Sequence, residues 1–164
     1  MKVDTQKNDG MKKIADLIEG VGAGMLTTPA SDGALRSRPM MPLQMDQNGS
    51  LWFFTKSSES EKEAAAGHLN LSFADPKNGT FVSLSGRSML VHDRSKIDEL
   101  WSPLLKAWFP SGKDDPSLAL LRVDVDGGEY WDSSSSSMVR FLAVSASAIV
   151  GHQVGLGENQ TVSN

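Results

Sequence analysis

A chain of 164 residues with 39% apolar and 22% charged residues has the size and composition of one globular domain with its own core, so a single domain over 1–164 is expected. The absence of cysteine excludes disulfides and thiolate chemistry, and a net charge of −4 argues against nucleic acid as a partner. Residues 1–20 lack a signal-peptide pattern and no apolar run approaches the roughly 20 residues of a membrane span, so a cytoplasmic protein that does not engage membranes is expected.

Met11, Ile14, Ala15, Leu17 and Ile18 share one side of a helix over 11–18, which Gly20, Gly22 and Gly24 end. Strands over 25–28 and 34–44 follow, separated by the turn-forming residues 29–33. Asp46-Gln47-Asn48-Gly49 predicts a hairpin with positive φ at Asn48 and Gly49, returning as a strand over 50–55. Ser58-Glu59-Ser60-Glu61 has the spacing of a capping box, and the helix it opens is expected to reach His68.

A strand over 69–74 leads through the turn 75–79 into a long strand over 80–92, whose Gly86 predicts a bulge or bend. A helix over 95–108, opened by Ser95 and Asp98 and interrupted at Pro103, precedes a polar loop over 109–116. Alternation over 118–126 predicts a strand with one buried face, and Gly127-Gly128 a turn into a short strand over 129–132. The serines at 133–137 read as a loop, 138–150 as a last helix and 155–164 as a flexible tail. Six or seven strands with short turns and few helices predict a small, mainly β barrel rather than a doubly wound parallel sheet.

The chemistry-bearing stretch is Arg36 to Lys62. Alternation puts Arg36, Arg38 and Met40 on one strand face, where two arginines repel unless water, a carboxylate or a bound anion neutralises them. Solvated charges on an exposed face are the commoner case. The partner segment tips the balance, because Phe54 and Thr55 are expected opposite that strand. Ser57, Ser58, Ser60 and Lys62 follow at a helix start, where open amides and the helix dipole favour an anion. Capping alone accounts for Ser58, and Lys62 alone would be a surface residue; the combination has the form of a phosphate cradle.

Trp52, Phe53, Phe54 and Trp131 are candidates for a flat slot, although aromatic residues in strands more often pack a core. Trp131 stands among polar neighbours and equally suits a dimer-interface anchor. His68, His92 and His152 are unrelated in spacing, so no metal site is expected, and Asp124, Asp126, Glu129 and Asp132 read as a solvated face. No catalytic residue can be assigned.

Arg38-Pro39-Met40, Leu51-Trp52-Phe53-Phe54-Thr55 and Ser60-Glu61-Lys62 resemble the pyridoxamine 5'-phosphate oxidase-like, FMN-binding split-barrel family, and within it the bacterial general stress protein branch. Trp108-Phe109-Pro110, Asp114-Asp115-Pro116, Leu121-Arg122-Val123, Glu129-Tyr130-Trp131-Asp132 and Gly157-Glu158-Asn159 extend the resemblance over nearly the whole chain. Each motif is degenerate; their order is specific. The resemblance implies a six-stranded antiparallel split β-barrel with flanking helices, a homodimer with its sites at the interface, and FMN, alternatively FAD, as cofactor.

By position, Arg38 would meet the FMN phosphate, and the backbone around Met40 would run along the isoalloxazine. Phe54 and Thr55 would border the ring and ribityl chain, while Ser60 and Lys62 complete the phosphate site. Ser57 would join them, Arg36 would serve as a second phosphate ligand, and Trp131 would reach the flavin of the partner subunit. Three departures argue against vitamin B6 oxidation: Leu43 stands where the oxidase has Lys, Glu61 where it has Arg, and 138–142 carry no Arg-x-His pair. The implied function is a flavin-binding general stress protein, either an FMN-dependent oxidoreductase or a non-catalytic flavin carrier or stress sensor. A deazaflavin or haem is the remaining alternative, haem requiring one of the three histidines.

Overall fold

The computed structural model describes residues 1–58 and 67–132 and the backbone of 135–142. In chain order it contains β1 (Lys2–Val3), α1 (Asp9–Ile18), β2 (Gly24–Pro29), β3 (Leu35–Met40), β4 (Gln44–Met45) and β5 (Leu51–Lys56). After the undescribed 59–66 come β6 (His68–Asp75), β7 (Thr80–Val91), α2 (Arg94–Leu100), 3-10 turns at Pro103–Ala107 and Gly112–Asp114, β8 (Leu118–Asp132) and β9 (Ser135–Leu142).

All nine strands belong to one sheet, in the order β1-β4-β5-β8-β7-β6-β2-β3 with β9 added on β8. The β1–β4 ladder is parallel and the rest are antiparallel, so the sheet is mixed and larger than the expected six antiparallel strands. It stays open, since among the described residues no ladder joins β3 to β5. Arg38 Nη2 on β3 nevertheless donates to Thr55 Oγ1 on β5 across 3.4 Å, although the hydrogen-bonded path between them runs through β2, β6, β7 and β8. The sheet therefore curls almost onto itself.

The expected strand over 34–44 is broken. Pro42 has no N–H for a ladder, so β3 ends at Met40, residues 41–43 cross the opening of the curl, and β4 pairs with β1 and β5. β3 and β5 are thus not hairpin partners, and Arg38 and Thr55 meet across a gap. At the 46–49 turn only Gly49 takes positive φ, at 82°; the Asp46 carboxylate accepts from Asn48 N and Ser50 N at 2.9 and 3.1 Å and shapes the rest.

Ser57 and Ser58 are both helical, so the helix begins ahead of Ser58, the expected cap, whose backbone would have to be non-helical. The rest of the capping box and most of its helix lie outside the described residues, and His68 already belongs to β6. α2 opens on Asp93 rather than Ser95, its carboxylate accepting from Ser95 N and Lys96 N at 2.9 and 3.1 Å. It stops at Leu100, ahead of Pro103.

β8 runs through Gly127-Gly128 without the expected turn. A Cβ on Gly128 would stand 2.4 Å from Ser83 O, and one on Gly86 2.3 Å from Asp124 O, so both glycines serve the close approach of β7 and β8. The bulge expected at Gly86 is present, as a register shift between Ser85 and Gly86. Of the expected last helix, 138–142 form part of β9 on β8, as do the serines 135–137; 143–150 and the tail lie outside the described residues.

Two cores flank the sheet. Inside the curl, Leu26, Phe53, Leu71, Leu84 and Leu121 pack with Met11, Ile14, Ala15 and Ile18 of α1, which closes one end. Outside it, Trp52, Phe54, Leu118 and Leu120 pack under Ile97 of α2 and Leu105 and Phe109 of the turn that follows. Leu118, Ala119, Leu120 and Leu121 are all buried, so this part of β8 has two dry faces instead of the expected one.

Gly128→Ala is expected to cost about 1–3 kcal/mol through overpacking, whereas Gly20→Ala, which meets nothing within 4 Å, should change stability by less than about 0.5 kcal/mol. Urea denaturation midpoints compare them. A second expectation concerns acid. Lys2 Nζ and Lys96 Nζ donate to Glu99 at 2.8 and 2.9 Å, tying β1 to α2. These bonds, that from Lys2 foremost, hold the Glu99 carboxyl at about 2, below its ordinary 4.5. The folded chain binds this proton less readily than the unfolded one, so the contribution is complete above pH 4.5 and disappears as pH falls toward 2. Glu99→Gln should flatten the fall of the thermal midpoint in that window, and only slightly, because the pair stands in solvent.

Candidate functional site

A cleft of about 260 Å³ opens where the curled sheet fails to close. Arg38, Pro39 and Met40 of β3 form one wall, and Met41 and Leu43 of the crossing segment the next. Phe54, Thr55 and Lys56 of β5 face them, and Leu105, Trp108 and Phe109 close the outer side.

The register explains each placement. Arg38 lies opposite Leu26 and shares its inward face, where it is half-buried. Along β5, Leu51 and Phe53 enter the inner core and Trp52 and Phe54 the outer one, so alternation turns Thr55 inward and Lys56 outward. The cleft therefore straddles the end of a strand, with a cation on either side. Phe54 forms the floor, its ring held edge-on by Trp101 and Phe109 at centroid distances of 5.7 and 6.0 Å. Trp108 stands on the rim, 60% exposed. Cations and a hydroxyl beside an aromatic floor suit a ligand with an anionic group and a flat apolar part.

Of the residues singled out in the sequence, Arg38, Met40, Phe54 and Thr55 are brought together here. Arg36 is not: it projects opposite Thr28 and is ion-paired with Asp32 Oδ2 at 2.7 Å. Ser57 lies just past β5, its N–H donating to Ser117 O at 2.8 Å, and does not line the cleft. Ser60 and Lys62 lie outside the described residues. Trp131 sits opposite Phe81 on β7, both rings partly exposed, away from the cleft lining. His68 is exposed 3.5 Å from Arg87 Nη2, and His92 is exposed beyond β7. Among the described residues no three His or carboxylate groups gather as a metal site would require.

Sequence reasoning missed Lys56, Trp108, Leu105 and Phe109. Lys56 was findable as the strand-end neighbour of Thr55. The other three depend on how the turn after α2 folds back over β5, which no local spacing records.

Known proteins share this architecture. A structure from Clostridium acetobutylicum, described as related to general stress protein 26 of B. subtilis, aligns with a TM-score of 0.70 at 24% identity, over 82% of this chain and 94% of its own. That identity speaks for the fold alone. The general stress FMN/FAD binding protein of Xanthomonas citri is 29% identical, with a TM-score of 0.65 over 91% of this chain and 99% of that one. Protein bli-3 of Neurospora crassa is 27% identical over 150 residues, 85% of this chain and 72% of bli-3. The pattern of the pyridoxamine 5'-phosphate oxidase like family matches residues 9–155. The chain belongs to that family.

Phe54 joins the cleft to the outer core, so Phe54→Ala is expected to destabilise the protein by about 3–5 kcal/mol; chemical denaturation followed by far-UV circular dichroism measures the loss.

Proposed function

We propose that the chain is a single-domain, cytoplasmic, flavin-binding general stress protein that holds FMN, alternatively FAD, in this cleft. The observation that carries the reading is the meeting of Arg38 with Thr55 at the open edge of the sheet, beside Met40 and Phe54. The run β5-β8-β7-β6-β2-β3, antiparallel throughout, is taken as the split barrel, with β1, β4 and β9 as additions.

Arg38 neutralises the cofactor phosphate together with Ser60 and Lys62. Ser57 contributes from just past β5, and Arg36 joins only by releasing Asp32. The Met40 backbone and the Phe54 ring border the flat ring system and keep water from it, and Thr55 offers a hydroxyl to the ribityl chain. Bound flavin supplies the redox chemistry; the chain supplies position and charge.

At about 260 Å³ the cleft is smaller than the ~300–1,000 Å³ usual for small-molecule sites. A second copy of the chain would complete it. Met25, Phe81 and Trp131, all partly exposed, lie by register on the outer face of the sheet and offer an apolar surface for that homodimer, with Trp131 reaching the partner's flavin. Leu43 in the cleft, where the oxidase places Lys, counts against vitamin B6 oxidation.

Among the described residues the cleft lining includes no His, Tyr or carboxylate, and the second reading is a non-catalytic carrier or sensor. Two measurements decide. FMN titrated with the parent protein should lose fluorescence at micromolar protein, and Arg38→Ala with Lys62→Ala should weaken retention at least about 100-fold, since each charge-assisted bond is worth roughly 1.5–3 kcal/mol, while circular dichroism stays unchanged. Anaerobic addition of NADH or NADPH to the loaded protein then bleaches the flavin if the protein is an oxidoreductase and leaves it yellow if it is a carrier.

A further inference from the structure

We infer that Trp108 and Lys56 form a second subsite at the mouth of the cleft, taking the adenylate part of a dinucleotide. The inference rests on the flavin reading above and extends it to an aromatic ring and phosphate beyond the FMN position.

The four tryptophans divide sharply. Trp52 is 9% exposed, with its indole N–H donating to Asp46 Oδ2 at 2.9 Å, and Trp101 packs on Phe54. Trp131 belongs to the outer sheet face. Trp108 alone stands on the cleft rim, 60% exposed, above a floor of Phe54, Leu105 and Phe109 that are each 8% exposed or less. One exposed aromatic is ordinary on a protein surface; what sets Trp108 apart is its place on the cleft rim, where its face is open for a base to stack on. The floor and walls leave about 260 Å³, less than the usual small-molecule site even before an adenylate is added. A further ring has its place outside, against Trp108.

Charge points the same way. Lys56 lies on the opposite side of β5 from Thr55 and Arg38, so one phosphate bound at Arg38 leaves Lys56 for another. Among the described residues the carboxylate of Asp115 lies within electrostatic reach of Lys56; its main partner is Ser117, Oγ at 2.7 Å and N at 2.9 Å. It offsets part of the Lys56 charge and suits the site to a singly charged phosphodiester better than to a dianionic terminal phosphate. The adenylate can come from FAD bound in place of FMN or from an adenine dinucleotide hydride donor; the ring and the phosphodiester are common to both.

The test compares the parent, Trp108→Ala, Lys56→Ala and Trp108→Phe, all at exposed positions, by titration with FMN, with FAD and, on FMN-loaded protein, with NADPH. If the adenylate is that of FAD, affinity for FAD falls about tenfold more than affinity for FMN in Trp108→Ala, and Trp108→Phe recovers part of it. If it is that of the donor, NADPH binding falls about tenfold while FAD and FMN keep their ratio. Equal losses for FMN and FAD with NADPH unaffected, or no loss in any arm, overturn the subsite. So does conversion to a smaller species on gel filtration, which would make Trp108 a contact between copies. Should the parent bind no flavin, the flavin reading falls, and ADP-ribose, whose adenylate phosphate is a singly charged diester, still decides the subsite: quenching of tryptophan fluorescence in the parent but not in Trp108→Ala supports it, and no quenching in the parent overturns it.

Discussion

Four consecutive residues of β8, Leu118 to Leu121, are buried on both faces of the sheet, and the rest of the molecule is arranged around that double burial. Leu121 belongs to the inner core and Leu118 and Leu120 to the outer one, so a single strand separates the two and holds them in register. The ladder places Leu120 against Phe54 and Ala119 against Thr55. Small Ala119 leaves the strand end uncrowded, and the position of β5 on β8 decides which of its side chains reach the opening. Were that pairing to slip by one residue, Thr55 and Lys56 would exchange sides.

The opening is a consequence of closure that stops short. Six strands curl far enough to bring Arg38 within reach of Thr55, but no ladder completes the circle. The chain crosses the gap instead, and Pro42 enforces the crossing because it cannot donate to a ladder on either side. The cleft and the break in the strand thus share one cause.

What could be read in the residues was what depends on local periodicity. α1 was legible because Met11, Ile14, Ala15 and Ile18 repeat at helical spacing, and the bulge at Gly86 because a glycine inside an alternating strand has few other uses. Gly127-Gly128 misled, since a pair that permits a turn equally permits two backbones to approach, and only the partner strand says which. Alternation reports a face only when one side is wet, so the double burial of β8 was invisible to it. In the site, Arg38, Met40, Phe54 and Thr55 were visible as a group from their chemistry, although they meet across a gap rather than within a hairpin. Trp108 owes its place to a turn that folds back from 52 positions beyond Lys56, out of the reach of any local pattern. The family was legible for another reason: its short motifs are individually weak, and their order along the chain is not.

The first residues are stitched in more firmly than a terminus usually is. Lys2 N donates to Leu43 O at 2.8 Å, Asp4 N to Met45 O at 3.0 Å, and Gln6 Nε2 to Asp46 O at 2.8 Å. Because Leu43 also lines the cleft, β1 braces one of its walls, and loosening the first residues would free the segment that crosses the opening.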